Sequence, residues 1–198
     1  MSSKPVLDTH HHVVQFYVDD EALCKIVAGF LSEGLLAGQP AIIIATATHA
    51  GAIIGQLSAR QVDVKKAGAA GQLIVLDVAD VLKDLMVGDL PGQRAFDEIV
   101  GRSIDQLIEK YPAGSVRAYG EIVDVLWKRG QPEAAIRLEL MWNQLVAGRG
   151  LALLCGYSMG SFYKQGERFE EVCRLHTRSM GVEGVVLSSE EPWPVAAS

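Results

Sequence analysis

The sequence predicts a three-layer α/β fold in which a mostly parallel sheet carries helices on both faces. Short runs of consecutive apolar residues, such as AIIIA at 41–45 and LIVLD at 73–77, are typical of strands buried on both faces. Amphipathic helical stretches separate these runs, which is the alternation found in α/β proteins. The 198 residues, 49% of them apolar, suffice for one domain with a sizeable core.

The elements follow in order along the chain. A strand at 12–18 precedes a helix that Asp19 or Asp20 caps and that Gly38 ends. The later predicted elements are the strand 41–45, a helix with Ala50, Ile53, Ile54 and Leu57 on one face, the strand 73–77, a long helix marked by apolar residues from Phe96 to Ile108, the strand 116–119, helices at 121–129 and 133–146, the strand 151–155 and a helix at 167–178. Residues 1–11 are expected to form a flexible N-terminus, 12–182 a single domain and 183–198 a C-terminal tail.

Composition excludes several classes of function. A net charge of -6 and a pI near 5.4 argue against direct binding to nucleic acid or to an anionic membrane surface. No apolar run approaches the ~18 to 20 residues that span a bilayer, and the polar N-terminus lacks the apolar stretch of a signal peptide. Three cysteines without a C-x-x-C pair indicate neither a disulfide framework nor a zinc ribbon. We therefore expect a cytoplasmic protein with reduced thiols.

The stretch Gly156-Tyr157-Ser158-Met159-Gly160 has the spacing of a serine-hydrolase nucleophile elbow, in which a tight turn after a strand exposes the serine hydroxyl. In α/β-hydrolases the acid and then the histidine follow this serine along the chain. Here one histidine follows, His176, on the expected buried stripe of the last helix, and no later predicted strand supplies an acid. A glycine-lined turn is the favoured interpretation, and a serine hydrolase remains the alternative.

The segment 30–46 resembles the stretch that follows the phosphate loop of RecA/KaiC-type ATPases. In those proteins a G-x-x-x-x-G-K-[ST] loop lies just before this helix, because backbone N–H groups and one lysine hold the phosphates there. Here that place has the sequence QFYVDDEAL, and its two aspartates would repel a triphosphate. The prediction is a KaiC/RecA-like fold that lacks a phosphate-binding loop.

Seven ordered blocks extend this resemblance over roughly residues 10 to 180. They are HVVQFY with Asp20 and Leu23, FLSEGLLAGQPAIIIATATH, LIVLD, VRAYGEIVDVLW, AAIRLELMWNQL, LALLCGYS and Cys173-x-x-His176. Together they resemble the MEDS domain, the sensory domain named for methanogens, methylotrophs and the regulator DcmR. The resemblance implies a KaiC-like fold without ATPase activity that senses small organic compounds such as hydrocarbon derivatives. Similar domains have a Cys-x-Tyr strand end, which assigns Cys155 and Tyr157 to the pattern and leaves Ser158 incidental.

Polar residues at unexpected positions are the candidate site. Glu139 falls on the apolar stripe of its helix, and a buried carboxylate costs several kcal/mol unless it is paired, so a partner such as Arg117 or a histidine is required. Glu121 and His49 follow strands at their carboxyl ends, where open parallel sheets place ligands. Glu139, Glu121 and His49 are each either a ligand contact or a satisfied buried polar group. Trp127 and Trp142 are more typical of core residues. Asn143 is either a surface amide or a ligand contact. With the family blocks, the ligand-binding or signalling candidates are His12, Tyr17, His49, Tyr119, Glu121, Trp127, Glu139, Trp142, Asn143, Cys155, Tyr157 and His176.

A metal or haem site is the weaker interpretation. Its donors would be His12, His49, Cys155, Cys173 and His176, of which Cys173 and His176 at i and i+3 would share a helix face. A buried thiol beside a core imidazole explains that pair as well. No metal and no cofactor are therefore expected.

The sequence as a whole predicts a non-catalytic sensor that binds a small organic ligand, a partner protein, or both. Many relatives carry a histidine-kinase module or a helix-turn-helix domain that is not found in these 198 residues, so the output is expected to pass to a separate sensor kinase or regulator. A homodimer is compatible with the sequence, and a structural adaptor whose pocket is filled by its own side chains is a further alternative.

Overall fold

The computed structural model describes residues 11–163, 166–182 and the backbone of 186–189. The strands are β1 (His11–Tyr17), β2 (Ala41–Ala45), β3 (Leu73–Asp77), β4 (Met86–Val87), β5 (Leu90–Pro91), β6 (Arg117–Gly120), β7 (Ala152–Ser158), β8 (Arg178–Met180) and β9 (Val186–Ser189). The α-helices are α1 (Asp20–Leu36), α2 (Ala47–Ala59), α3 (Val64–Ala69), α4 (Val78–Leu85), α5 (Gln93–Phe96), α6 (Arg102–Lys110), α7 (Ile122–Lys128), α8 (Pro132–Arg149) and α9 (Gly166–Arg174). A π-helical turn (Asp97–Gly101) joins α5 to α6, and a 3₁₀ helix (Met159–Phe162) follows β7.

One sheet organises the molecule. Its strand order is β3-β2-β6-β7-β1-β8-β9, and all neighbours pair in parallel except β8 and β9. β4 and β5 form a separate antiparallel hairpin. The parallel order places the carboxyl ends of β1, β2, β6 and β7 along one edge of the sheet, which is where α/β proteins bind ligands.

Two hydrophobic cores lie on opposite faces of this sheet. Along β2, Ile42 and Ile44 join the core formed with α4 to α8, whereas Ile43 joins the core formed with α1 to α3. This alternation follows from the two-residue period of a strand, and it explains why β2 is apolar at every position. The predicted three-layer α/β class is confirmed.

Local signals explain the limits of the helices that flank the edge. The Asp19 carboxylate accepts a hydrogen bond from the N–H of Ala22 and caps α1, as the sequence predicts. Pro132 opens α8, where its missing N–H costs nothing. Gly150 ends α8 with a φ of 63°, a left-handed conformation that favours glycine. Among the described residues, no helix combines the length and apolarity needed to cross a membrane.

The end of the chain differs from the prediction. The helix expected at 167–178 ends at Arg174, because the chain then turns to join the sheet: the N–H and hydroxyl of Thr177 both donate to the carbonyl of His12, and β8 pairs with β1. Helical periodicity cannot reveal this long-range pairing. β7 likewise extends to Ser158, beyond the predicted end at 155, because it pairs along the whole of β1.

Smaller elements were also missing from the prediction. They include α3, α4, the β4–β5 hairpin, the 3₁₀ helix after β7 and the π-helical turn that interrupts the long helix expected around Phe96 to Ile108. Of the expected tail, 186–189 form β9, while 183–185 and 190–198 lie outside the described residues, as do 1–10 of the expected N-terminus.

The start of α1 leads to a prediction about nucleotides. The Asp19 carboxylate already occupies the helix N-terminus, and the carboxylate of Asp20 lies 3.5 Å from the imidazole of His49. A triphosphate would meet two negative charges where phosphate-binding loops present N–H groups and a lysine. We therefore expect no saturable binding of Mg-ATP in isothermal titration calorimetry. A micromolar dissociation constant would contradict this expectation.

Candidate functional site

The carboxylate of Glu121 lies at the carboxyl edge of the sheet, directly after β6. It accepts hydrogen bonds from the N–H of Thr46 at 2.5 Å, from Nδ1 of His49 at 2.6 Å and from the hydroxyl of Tyr119 at 2.9 Å. The Glu121 side chain is buried, and the three donors come from the ends of β2 and β6 and from the first turn of α2. These three hydrogen bonds satisfy the buried carboxylate.

A second carboxylate extends this network. Asp124 of α7 accepts hydrogen bonds from the hydroxyl of Tyr17 at 2.7 Å and from the N–H of Ser158 at 2.9 Å, and Nζ of Lys128 lies 2.8 Å away. Sequence reasoning missed Asp124 and Lys128, although an acid four residues before a lysine in a helix is a recognisable pairing signal. We call Tyr17, His49, Tyr119, Glu121 and Asp124 the edge cluster.

The electrostatics of the edge cluster follow from these contacts. Burial would raise the pKa of Glu121, but the hydrogen bonds from His49 and Thr46 outweigh it and hold the pKa below its usual range. The same hydrogen bond raises the pKa of His49. Burial and the nearby carboxylates raise the pKa values of Tyr17 and Tyr119, so both phenols stay protonated as donors.

The His49–Glu121 pair predicts a pH dependence of stability. A folded pKa of His49 above its ordinary 6.5 stabilises the protein fully below pH 6.5, and this stabilisation is lost as the pH rises through the folded value. The depressed pKa of Glu121 stabilises the folded protein above pH 4.5, and this stabilisation is lost as the pH falls through the folded pKa. The difference in unfolding free energy between wild type and His49→Gln should therefore be larger at about pH 6 than at about pH 9. Urea denaturation at both pH values measures it, and a constant or growing difference would contradict the assigned pair.

A second polar group lies in the interior, on the face covered by α8 and α9. Nε2 of His12 on β1 is 3.2 Å from Oε2 of Glu139 and 3.2 Å from Sγ of Cys155 on β7. The same Glu139 oxygen is 3.8 Å from the Cys155 sulfur, and Oε1 of Glu139 is 3.5 Å from Nε2 of His176. All four side chains are buried, and we call His12, Glu139, Cys155 and His176 the inner cluster.

The outer nitrogens of both histidines are fixed by neighbours. Nδ1 of His12 lies 2.8 Å from Oδ1 of Asn143, whose amide nitrogen donates to the carbonyl of Leu175. Nδ1 of His176 lies 2.7 Å from the carbonyl oxygen of Val172. Both Nδ1 atoms therefore face acceptors and must carry hydrogen, which directs the two Nε2 atoms into the cluster.

Burial and neighbouring charges shift the pKa values of His12, Glu139 and Cys155. Burial and the neighbouring His176 lower the pKa of His12. Burial would raise the pKa of Glu139, but His176 and His12 hold it below its usual range. Burial and the Glu139 carboxylate raise the pKa values of Cys155 and Tyr157.

The structure places the sequence candidates in distinct groups. Glu139 points inward, as predicted, and its partners are histidines; the alternative partner Arg117 instead binds the carbonyl of Phe30 and the side chain of Gln39. Asn143 supports the inner cluster. Three buried aromatic candidates pack in the core: Trp142 is edge-on to Phe96, and Trp127 is edge-on to Tyr157 and tilted against Phe162.

The expected shared helix face of Cys173 and His176 is wrong. α9 ends at Arg174, and His176 lies in the turn before β8. Among the described residues, His176 joins His12, Glu139 and Cys155, and Cys173 is not part of that group.

The elbow-like motif has another role in this fold. Ser158 has an extended backbone, with φ of -71° and ψ of 126°, and ends β7 before the 3₁₀ helix. A Cβ at Gly156 would lie 3.0 Å from the Tyr119 hydroxyl, so this glycine makes room for Tyr119. In the described part of the chain, the imidazoles of His12, His49 and His176 are engaged with the two clusters instead of the Ser158 hydroxyl.

Ser158→Ala should therefore change little. We expect the unfolding free energy to stay within about 0.5 kcal/mol of wild type, because the contact with Asp124 uses the backbone N–H. Thermal denaturation and an assay with p-nitrophenyl acetate check this. An esterase activity that disappears in the folded variant would restore the hydrolase alternative.

Comparison with known proteins identifies the family. The family model described as the methanogen/methylotroph, DcmR sensory domain, MEDS, matches residues 11–177. The chain belongs to the MEDS family. This match includes every residue of the edge and inner clusters.

The MEDS chain also resembles solved structures. A KaiC-like protein from Pyrococcus horikoshii superposes with a TM-score of 0.61 at 11% identity, over 93% of this chain and 81% of that one. An uncharacterized Pyrococcus horikoshii protein, solved in complex with an unknown peptide, superposes with a TM-score of 0.65 at 14% identity, over 87% of this chain and 77% of that one. A search of curated proteins gives no match. At these identities the two structures establish the KaiC-like fold of the MEDS domain.

Proposed function

We propose that this MEDS domain is a non-catalytic sensor that binds a small organic molecule at the edge cluster and transmits its bound state to a separate protein. The family supports a sensory role. The observation that carries the proposal is the position of two buried carboxylates, Glu121 and Asp124, at the carboxyl ends of parallel strands.

The chemistry of the edge cluster favours a particular class of ligand. Its carboxylates and phenols lie beside an exposed rim that includes Asp20 and Lys128. Since acidic groups outnumber basic ones there, a hydroxyl or amine group suits it better than an anion. Short alcohols and amines, which are simple hydrocarbon derivatives, fit this description.

Two strands provide a physical route for the signal. β1 carries Tyr17 of the edge cluster and His12 of the inner cluster, and β7 runs beside it from Cys155 to Ser158, whose N–H binds Asp124. A ligand that binds one arrangement of Asp124 more tightly would shift α7 relative to these strands. A partner protein, such as a sensor kinase or regulator in the cytoplasm, would then read the altered helical surface.

Native mass spectrometry of the protein purified from its own host tests the proposal, by looking for a retained small molecule. In parallel, short alcohols and alkylamines are screened for an increase in melting temperature. Glu121→Gln should remove the stabilisation by an active compound, while Glu98→Gln, which alters an exposed acid paired with Arg94, should retain it. No retained molecule and no stabilising compound, or equal loss in both variants, would contradict the proposal.

A further inference from the structure

We propose that the inner cluster is a buried site for a divalent transition-metal ion of the zinc type, bound by His12, Glu139, Cys155 and His176. This site is separate from the edge cluster, so the proposed sensing function does not depend on it. The four donor atoms come from β1, α8, β7 and the turn before β8, and all lie within 4.8 Å of one another.

The distances approach those of a tetrahedral site. Zinc binds imidazole nitrogen, carboxylate oxygen and thiolate sulfur at about 2.0 to 2.3 Å, which separates tetrahedral ligands by roughly 3.3 to 3.7 Å. Within the cluster, Nε2 of His12 is 3.2 Å from both Cys155 Sγ and Glu139 Oε2, the Cys155–Glu139 pair is 3.8 Å apart and the His176–Glu139 pair is 3.5 Å apart. Small side-chain movements would complete the geometry.

The hydrogen-bond inventory supports an ion at the centre. The Nδ1 hydrogens of His12 and His176 are used on Asn143 and Val172, so in the neutral imidazoles both Nε2 atoms present lone pairs to the cluster. The Cys155 thiol then supplies the only hydrogen among the four donor groups. That single hydrogen cannot satisfy the lone pairs of both Nε2 atoms and the Glu139 carboxylate. Accordingly, Oε1 of Glu139 and Nε2 of His176 complete no hydrogen bond within the described residues.

Charge balance also favours a divalent ion. A thiolate and a carboxylate neutralise a 2+ charge, and two neutral imidazoles complete the shell, so the occupied site has no net charge to bury. The thiol proton leaves to solvent when the metal binds, and no electron transfer is involved. The hydrogen bonds from Nδ1 of His12 to the Asn143 oxygen and from Nδ1 of His176 to the Val172 carbonyl would orient both histidines, as such bonds do for metal-binding histidines in general.

The mixed set of thiolate, imidazole and carboxylate donors excludes magnesium and calcium, which take oxygen ligands. Four protein donors leave no open position, which is typical of a structural site. Such an ion would tie the turn before β8 to β1, β7 and α8, and so fix the C-terminal part of the sheet.

Cobalt(II) titration of the reduced, chelator-treated full chain tests the site, since cobalt(II) bound by a thiolate gives a charge-transfer band in the near ultraviolet. The protein is held with cobalt below its melting temperature until the signal is constant, because the site is buried. We expect one equivalent to bind with this band, to be displaced by zinc, and to raise the melting temperature.

Matched cysteine variants locate the ion. Cys155→Ser should abolish the band and weaken binding at least tenfold, whereas Cys24→Ser and Cys173→Ser should keep both within about twofold, because these thiols lie outside the cluster. Asn143→Ala should weaken binding about 10- to 100-fold while the band remains at saturation. Folded wild-type protein that shows no thiolate band, or a band that survives in Cys155→Ser, would overturn the proposal.

Discussion

Replacement of Glu139 by alanine should lower the free energy of unfolding by about 3 to 5 kcal/mol, the scale on which removal of one partner from a buried charged pair destabilises proteins. The carboxylate contacts the imidazoles of His12 and His176 and the thiol of Cys155, and none of these groups can turn to water. Urea denaturation near pH 7 measures the change. This loss of stability is expected whether a proton or a metal ion neutralises the charge of the Glu139 carboxylate.

Two further variants are needed to interpret the stability of Glu139→Ala. Glu98→Ala removes an exposed acid and should change stability by no more than about 0.5 kcal/mol. Glu139→Gln preserves the shape and removes the charge, so it separates the loss of packing from the loss of electrostatic pairing. If Glu139→Ala costs less than about 1 kcal/mol, the buried carboxylate is not a structural centre of this fold.

Asp124→Ala should be the second most damaging change, with a loss of about 3 kcal/mol in unfolding free energy. It leaves the buried hydroxyl of Tyr17 and the half-buried N–H of Ser158 without their acceptor, and an unsatisfied buried group costs about 1 to 3 kcal/mol. Thermal and urea denaturation on the same samples measure the loss.

Lys128→Ala provides the matched control for Asp124. The Lys128 side chain is about half exposed (47%), so the loss of its ion pair with Asp124 and of its hydrogen bond to the Tyr17 hydroxyl should cost no more than about 1 kcal/mol. Equal losses in Asp124→Ala and Lys128→Ala would show that Lys128, and not the hydrogen bonds from Tyr17 and Ser158 to Asp124, accounts for the stability at the strand edge.

The sequence by itself determined the layers of this protein. β2 and β3 were predicted at their observed limits because both are continuous apolar runs. Only β2 is buried at every position, whereas β3 is the edge strand and Val75 is 41% exposed. α1 began where an aspartate could cap it. The inward direction of Glu139 followed from helical periodicity, and the edge positions of Glu121 and His49 followed from the parallel sheet.

Only the tertiary structure decided which polar groups meet. The polar contacts among His12, Glu139, Cys155 and His176 join residues 16 to 143 positions apart, and nothing in local spacing links them. The prediction instead joined His176 to Cys173 by helical spacing, which failed because pairing of β8 with β1 ends the helix at Arg174. Local patterns fix which face of an element is buried, whereas strand order and register fix which buried groups become neighbours.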